Sequence, residues 1–298
     1  MSAKPAIDEL FERRITYPDF APQERLARLV GLVNPAGLEA WARKHHAGAE
    51  GLLNTVLRRP PLVVLAGDVG SGKTELAETI GDAVARQEEI DLTLFPLSLS
   101  TRGEGRVGEM TQLLSAAFDY TVAEAMKLKS TSGRARGGII LLVDEADALA
   151  QSREAAQMHH EDRAGVNAFI RGIDRLGNGR LPAAVIMCTN RLGALDPAVK
   201  RRAADILTFE RPKDMQRRTV LAGRFEQLGF SRAQVEELVA ATGPTANQPY
   251  GFTFSDLTQR LLPAIVLDAY PSRPVDPIRA LEIAQGMKPT PPFQENSA

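Results

Sequence analysis

The sequence predicts an α/β domain with a five-stranded parallel sheet, followed by a smaller domain that contains only helices. One observation is a series of short apolar runs, each typical of a strand that is buried on both faces. Another is that amphipathic stretches at 73–87, 108–129 and 161–175 alternate with these runs, as in a parallel sheet covered by helices. A third is that strand patterns stop after Pro212. The predicted strands are LVVLA (62–66), LTLFPLSL (92–99), IILLV (139–143), AAVIMC (183–188) and DILTF (205–209).

The second domain is predicted from four amphipathic helix patterns that are separated by glycine and proline. These patterns are DMQRRTVLAGRFEQL, SRAQVEELVAA, FSDLTQRLLPAIVLDAY and PVDPIRALEIAQ. We therefore divide the chain into four parts: an N-terminal segment (1–25), a large α/β domain (26–211), a helical lid domain (212–288) and a flexible tail (289–298).

The composition is typical of a globular protein that stays inside the cell. A chain of 298 residues with 44% hydrophobic residues is long enough for two cores. The formal net charge of -1 gives no bulk attraction to nucleic acid or to an anionic membrane. Cys188 is the one cysteine, so no internal disulfide is possible. No run approaches the roughly 20 apolar residues of a membrane span, and we expect a cytoplasmic protein without a membrane partner.

GDVGSGKT, residues 67–74, places three glycines and a lysine between a predicted strand and a predicted helix. Glycines let consecutive backbone N–H groups converge on anionic oxygens, and the following helix turns its positive end toward the same charge. Lys73 is expected to reach the β- and γ-phosphates of ATP, and the Thr74 hydroxyl to bind Mg²⁺. The predicted nucleotide-binding loop consists of Gly67, Asp68, Val69, Gly70, Ser71, Gly72, Lys73 and Thr74.

IILLVDEAD, residues 139–147, is an apolar strand that ends in two consecutive carboxylates. Ligands of open α/β sheets bind at the carboxyl ends of the strands, so both acids are expected at the nucleotide. Asp144 is predicted to hold the Mg²⁺ shell, and Glu145 to polarise the water that attacks the γ-phosphate. Asp147 is predicted to cap or support the following helix.

VIMCTN, residues 185–190, is another strand that ends in a polar residue, and Asn190 is a candidate to orient the attacking water or to contact the γ-phosphate. RLGALDPAVKRRAADI follows and brings Arg201 and Arg202 to a surface. A solvated helix face is the alternative interpretation of this arginine pair.

The order of these motifs before a helical lid resembles that of the AAA+ ATPases, over roughly residues 55–270. The resemblance implies a P-loop AAA+ domain in which Arg201 or Arg202 acts as an arginine finger in the neighbouring subunit's site. It therefore implies a homo-oligomeric ring, usually a hexamer. It also assigns four motifs: Walker A with Lys73 and Thr74, Walker B with Asp144 and Glu145, sensor 1 with Asn190, and the arginine finger with Arg201 or Arg202.

Three stretches look like the remodellers of HORMA-domain proteins, including bacterial relatives encoded in cyclic-nucleotide anti-phage operons. They are EDRAGVNAFIRGIDRL (161–176), VKRRAADILTF (199–209) and GFTFSDLTQRLLPAIVLDAY (251–270). This resemblance implies a HORMA-domain protein as substrate, pulled by its N-terminus through the pore of the ring and switched from closed to open. In an anti-phage operon this reaction would turn the signal off.

Two positions depart from the pattern of these remodellers. The expected pore loop corresponds to EGRVGE, 104–109, which has Arg106 where the family carries an aromatic residue. We predict a pore loop in which Val107 supplies apolar contact and Arg102 and Arg106 engage peptide carbonyls or acidic side chains. A simple glycine-rich loop between a strand and a helix is the alternative. The sensor 2 arginine is absent from GFTFSD, and Arg260 is the nearest candidate, with a plain surface arginine as the alternative.

Two other functions are compatible with parts of the sequence. An AAA+ machine acting on nucleic acid, such as a loader or transposition regulator, is supported by Arg134, Arg136 and the pore-loop arginines, but the near-neutral charge argues against it. A nucleotide-dependent scaffold with little turnover conflicts with the intact Glu145.

Overall fold

The computed structural model describes residues 34–46, 48, 50–57, 59–99, 109–130, 135–150, 160–246 and 248–293. These residues divide into two compact units, each with a hydrophobic core of its own. We call them the sheet unit and the lid unit. The sheet unit contains the described residues of 34–66 and 74–208, and the lid unit contains residues 67–73 with the described residues of 209–293.

The sheet has five strands in the order β2-β3-β4-β1-β5, at the positions that the apolar runs predict. The pairs β2–β3, β3–β4 and β4–β1 run parallel. Every residue of β4 and all but the last residue of β3 are buried, which explains why both sequences are continuously apolar. The prediction of a five-stranded parallel sheet is confirmed. The strands are β1 (Leu62–Gly67), β2 (Asp91–Ser98), β3 (Gly137–Asp144), β4 (Ala183–Thr189) and β5 (Ala203–Phe209).

Helices before and between the strands complete the sheet unit. A short 3₁₀ helix, Ala146–Ala150, follows β3. The other helices are α1 (Pro35–His45), α2 (Glu50–Leu57), α3 (Lys73–Glu88), α4 (Glu109–Leu128), α5 (His160–Gly179) and α6 (Pro197–Lys200). Phe118 of α4 packs edge-on against Phe169 of α5, with the ring centroids 5.7 Å apart. Gly172 makes this close approach possible, because a Cβ there would lie 2.2 Å from the Phe118 ring.

The register of the strands brings polar residues together at one edge of the sheet. Ser98 of β2 pairs with Asp144 of β3, and Ala66 of β1 pairs with Thr189 of β4. Because these strands are parallel, the residues that follow them emerge at the same edge. The candidate functional residues of this unit thus lie at the carboxyl ends of β2, β3 and β4.

Beyond Phe209 the lid unit is helical, apart from one isolated bridge between Thr245 and Gln248. A π-helical turn, Asp256–Leu261, directly precedes α9, where the sequence predicted one continuous helix. The core of this unit includes Phe225, Phe252 and Leu257. None of the helices in the described part of the chain has the length and apolarity that a membrane span requires. The lid helices are α7 (Asp214–Phe225), α8 (Arg232–Ala241), α9 (Leu262–Ala269) and α10 (Pro277–Gly286).

The division between the units differs from the predicted domain boundary at residue 211. Contacts group residues 67–73 with the lid, although Gly67 is the last residue of β1 and residues 68–73 follow it along the chain. Their bonds explain the grouping: Asp68 forms an ion pair with Arg211, and the carbonyl oxygen of Gly70 accepts the backbone N–H of Ser255 at 3.2 Å.

Candidate nucleotide-binding site

The loop between β1 and α3 curls tightly at its glycines. Gly70 and Gly72 have φ values of 69° and 93°, in the left-handed region that glycine enters without strain. At Gly67 a Cβ would lie 2.1 Å from the carbonyl oxygen of Phe209, so any larger residue there would displace the backbone. The loop therefore returns to the start of α3, where the first helical N–H groups have no partner within the helix.

Lys73, the first residue of α3, is held inside this loop. Its side chain is buried, and its Nζ donates to the carbonyl oxygens of Gly67 at 3.0 Å and Asp68 at 2.8 Å. A longer contact of 3.4 Å joins Nζ to the Ser71 hydroxyl. The loop thus fixes a positive charge beside its own backbone N–H groups, which is an arrangement suited to phosphate oxygens.

Thr74 and Asp144 bring a hydroxyl and a carboxylate together in the sheet unit. The Thr74 hydroxyl donates to Asp144 Oδ1 at 3.3 Å, and the same oxygen accepts the backbone N–H of Glu145 at 2.8 Å. Within the described residues no cluster of three or more His, Cys, Asp or Glu side chains forms a metal cage. A hydroxyl with one carboxylate is instead the donor set that suits Mg²⁺ when phosphates and water supply the remaining ligands.

Glu145 follows β3 in an unusual backbone conformation. Its φ is 53°, a region that non-glycine residues enter at a cost of about 1–3 kcal/mol. The side chain is exposed, and its Oε2 accepts a hydrogen bond of 2.8 Å from the Ser98 hydroxyl. The turn therefore directs this carboxylate away from the buried strand, and Ser98, which the sequence analysis missed, holds one of its oxygens.

Asp147 lies in the first turn of the 3₁₀ helix after β3, as predicted, but its carboxylate binds the end of β4. Its Oδ1 accepts the Thr189 hydroxyl and the Asn190 backbone N–H, both at 2.7 Å. Its Oδ2 accepts the Asn190 Nδ2 at 3.0 Å. Asp147 thereby fixes the amide group of Asn190 and takes one of its two N–H donors. The amide oxygen remains to accept from a water, and the second N–H remains to donate to a water or a phosphate oxygen.

Arg201 and Arg202 lie after α6 and differ sharply in their surroundings. Arg202 Nε and Nη2 donate to the two carboxylate oxygens of Asp174 at 2.7 and 2.9 Å, and its Nη1 donates to the Ala198 carbonyl oxygen. Arg201 is exposed, and its guanidinium forms no hydrogen bond or ion pair with the residues that the structure describes. Of the pair, Arg201 is therefore the one available to another molecule.

Arg260, in the lid unit, bonds to Asp256 and to the C-terminal segment. Its Nη1 donates to Asp256 at 2.5 Å, and its Nη2 donates to the Lys288 carbonyl oxygen at 3.1 Å. The arginine that bonds to the predicted nucleotide loop is Arg211, whose Nε donates to Asp68 Oδ2 at 2.7 Å. Arg211 had no sequence signal, because it lies far from the loop along the chain and outside every motif.

A family model described as "ATPase family associated with various cellular activities (AAA)" matches residues 63–211. This range is half of the chain and includes the loop 67–74 with Asp144, Glu145 and Asn190. The chain is an AAA ATPase. It accordingly binds a nucleotide and hydrolyses ATP, as the motif order predicted.

Two relatives place this AAA ATPase in a narrower family. It is 66% identical over 307 residues to CD-NTase-associated protein 6 of Escherichia coli (strain MS 115-1), covering 98% of this chain and 99% of the relative. It is 38% identical over 261 residues to the protein of the same name from Escherichia coli (strain KTE188), covering 87% and 85%. The AAA ATPase therefore belongs to the CD-NTase-associated protein 6 family.

Solved structures give the same assignment. A chain of the E. coli MS115-1 HORMA:CdnC:Trip13 complex has a TM-score of 0.84 at 63% identity, covering 95% of this chain and 94% of that one. Rhizobiales Trip13 has a TM-score of 0.70 at 58% identity, with 95% of each chain covered. C. elegans PCH-2, at 16% identity and a TM-score of 0.61, shares the fold over 92% of this chain and 70% of its own. The resemblance to the HORMA remodellers is confirmed as membership of the Trip13-like group.

Within each unit, the structure brings several predicted site residues of the AAA ATPase together. In the lid unit, Lys73 lies within the loop of residues 67–73. In the sheet unit, Thr74 contacts Asp144, and Asp147 holds Asn190. The predicted pore-loop residues Arg102, Arg106 and Val107 fall outside the described residues, as does Arg134.

Proposed function

We propose that this AAA ATPase uses ATP hydrolysis to open a HORMA-domain protein and so regulates anti-phage signalling. The observation that carries the proposal is the similarity to the Trip13 chain solved with HORMA and CdnC proteins. That similarity, at 63% identity, extends over 95% of the chain, so it includes the lid as well as the ATPase motifs.

In this proposal the loop 67–74 binds the phosphates of ATP. The backbone N–H groups of the loop and of the first turn of α3 donate to phosphate oxygens, and Lys73 exchanges its bonds to the loop carbonyls for bonds to the β- and γ-phosphates. Thr74 and Asp144 would hold Mg²⁺, and the fit is supported by their oxygen donors and their mutual contact of 3.3 Å. When bound, that ion neutralises charge that develops on the phosphates.

Glu145 is proposed to accept the proton of the attacking water. Its backbone turn and exposed carboxylate favour this role, since a general base must reach the water directly. Asn190 is proposed to orient that water through its amide oxygen, or to contact the γ-phosphate through the amide N–H that Asp147 leaves available. Asp147 acts through Asn190 and is a positioning residue.

A homo-oligomeric ring, expected to be a hexamer, is proposed to complete the site. Arg201 supports this arrangement, because it is exposed and unbonded in the described structure, whereas Arg202 is tied to Asp174. A guanidinium that reaches the γ-phosphate of the next protomer stabilises transition-state charge in trans. Arg102, Arg106 and Val107 would then line the pore and grip the threaded polypeptide.

An assay for the opening of a HORMA-domain protein tests the proposed function. We expect the purified AAA ATPase with ATP to convert the HORMA protein of the E. coli MS115-1 complex from the closed to the open form, measured by ion-exchange separation of the two forms. The Glu145→Gln variant and wild-type protein with ADP serve as controls and should give no conversion. Conversion that is equally fast without ATP, or no conversion by a wild-type protein that hydrolyses ATP, contradicts the proposal.

Removal of the Lys73 ammonium tests the phosphate loop. We expect Lys73→Ala to weaken ATP binding on the order of tenfold or more, because it removes a charge-assisted donor to the phosphates. Titration calorimetry measures the affinity. Lys129→Ala is the matched control, since Lys129 is exposed and donates to the Gly179 carbonyl oxygen, outside the loop. Equal ATP affinity in both variants would contradict the proposal that this loop binds the phosphates.

A further inference from the structure

The carboxylate of Asp68, the second residue of the nucleotide loop, is enclosed by bonds to the lid unit. Its Oδ2 accepts Arg211 Nε at 2.7 Å, and its Oδ1 accepts the backbone N–H of Phe293 at 3.0 Å. The exposed fractions of the Asp68 and Arg211 side chains are 18% and 13%. A largely buried ion pair, strengthened by hydrogen bonds, thus connects the loop to two separate lid segments.

Arg211 is itself anchored on its far side. Its Nη1 donates to the Gly251 carbonyl oxygen at 2.8 Å, and its guanidinium carbon lies 4.9 Å from the centroid of the Tyr250 ring. Its Nη2 is buried without a hydrogen-bond partner among the described residues. Any displacement of Asp68 would therefore strain the contacts of Arg211 with residues 250–251.

A second contact fixes the middle of the loop. The Gly70 carbonyl oxygen accepts the backbone N–H of Ser255. A Cβ at Gly70 would lie 2.7 Å from the Thr253 hydroxyl, so the loop packs against residues 253–255 without room for a side chain. Two points of the loop are thus attached to the segment 250–255.

Asp256 and Arg260, which follow this segment, hold residues 288–293, which we call the C-terminal strap. The strap includes residues 289–293 of the tail that the sequence predicted to be flexible. Asp256 is fully buried and accepts the backbone N–H of Thr290 at 2.9 Å and its hydroxyl at 2.7 Å. Burial raises the pKa of Asp256, but hydrogen bonds from Thr253, Thr290 and Arg260 outweigh burial, so the pKa lies below its ordinary value. The ionised carboxylate of Asp256 anchors the strap at Thr290. At the end of the strap, the backbone N–H of Phe293 donates to Asp68.

We propose that Asp68 is a positioning residue that couples the nucleotide loop to the lid through Arg211 and to the C-terminal strap through Phe293. This inference rests on the proposed binding of phosphates by the loop. Arg211 has two effects there: it holds the shape of the loop, and it neutralises a carboxylate that would otherwise repel the phosphates. Nucleotide affinity then depends on residues that touch no phosphate.

Comparison of the two single variants with the double variant separates this role from ordinary stabilisation of the fold. Arg211→Gln leaves the Asp68 charge uncompensated and is expected to weaken ADP binding about tenfold or more. Asp68→Asn removes the charge together with the pair and is expected to have a smaller effect. The double variant Asp68→Asn/Arg211→Gln is expected to bind ADP better than Arg211→Gln alone. Calorimetry with ADP and the full chain measures all of these affinities.

Arg218→Gln is the matched control for loss of a lid ion pair. Arg218 forms a two-pronged pair with Glu236, and its side chain is 41% exposed. We expect this variant to bind ADP like the wild type. Wild-type affinity in Arg211→Gln, or a double variant that loses the sum of the two single effects, overturns the proposal. If Lys73→Ala also binds ADP normally, the proposed phosphate loop fails rather than the coupling alone.

Phe293 allows a direct test of the strap. Phe293→Pro removes the backbone N–H that Asp68 accepts, and the preceding Pro292 is already compatible with a following proline. Phe293→Ala keeps that N–H and is the control. We expect a severalfold faster release of ADP, followed by fluorescence of a labelled analogue, in the proline variant only. Equal release rates in the two variants overturn the attachment of the strap.

Discussion

Glu145→Gln is expected to lower the steady-state ATPase rate by at least about 10²-fold, because an amide cannot accept the proton of the attacking water. ATP binding should persist, since the nucleotide loop is unchanged. Phosphate release measures turnover, and calorimetry measures binding. The hydrogen bond from Ser98 can be kept by the amide oxygen, so the variant tests the proton acceptor rather than the local structure.

Glu89 is a control residue with the same backbone conformation as Glu145. It is also exposed and has a φ of 52°, but it lies in the turn after α3. Glu89→Gln should leave turnover unchanged. If Glu145→Gln retained more than half of the wild-type rate, another group would have to activate the water.

Arg201→Ala is expected to reduce ATP turnover about 10³-fold, the lower end of the range for arginine fingers. ATP affinity should change little, because the guanidinium acts on the transition state of a neighbouring protomer. Arg202→Ala should instead act mainly through its pair with Asp174. The side chains of that pair are 29% and 38% exposed, so the loss of unfolding free energy should be about 0–1 kcal/mol.

Mixed rings distinguish action in trans from a local effect. When Arg201→Ala is mixed with Glu145→Gln, some interfaces combine an intact Glu145 from one protomer with an intact Arg201 from the next. Part of the ATPase rate should therefore return. No recovery in rings shown to be mixed, or a loss of turnover in Arg202→Ala as large as in Arg201→Ala, would contradict the assignment.

Local patterns in the sequence were sufficient for the fold and for the family. Continuous apolar runs predicted all five strands, but only the three inner strands β3, β4 and β1 are buried almost throughout. The edge strands β2 and β5 are partly exposed, which the apolar runs did not predict. The glycines of residues 67–74 predicted the turn, since only glycine adopts that backbone at low cost. Motif order then identified an AAA ATPase, and the family match confirms it.

Pairing between distant residues required the tertiary structure. The sequence offered Arg201 and Arg202 as equivalent candidates, and only the fold places Asp174 beside Arg202. It suggested that Asp147 supports a helix, whereas the neighbouring strand ends deliver Asn190 to its carboxylate. It likewise proposed Arg260 for the nucleotide, although that side chain bonds to Asp256 and the C-terminal strap.

The sequence by itself determined the strands, the phosphate loop and the carboxylates after β3, because backbone conformation and burial leave a signal in adjacent residues. Only the tertiary structure decided which charged side chains neutralise one another. Arg211 and Asp68 are separated by 143 positions in the chain, and no local pattern records that they meet. Such ion-pair partners are set by the packing of whole helices and strands. Which charged side chains pair can therefore be learned only from the folded structure.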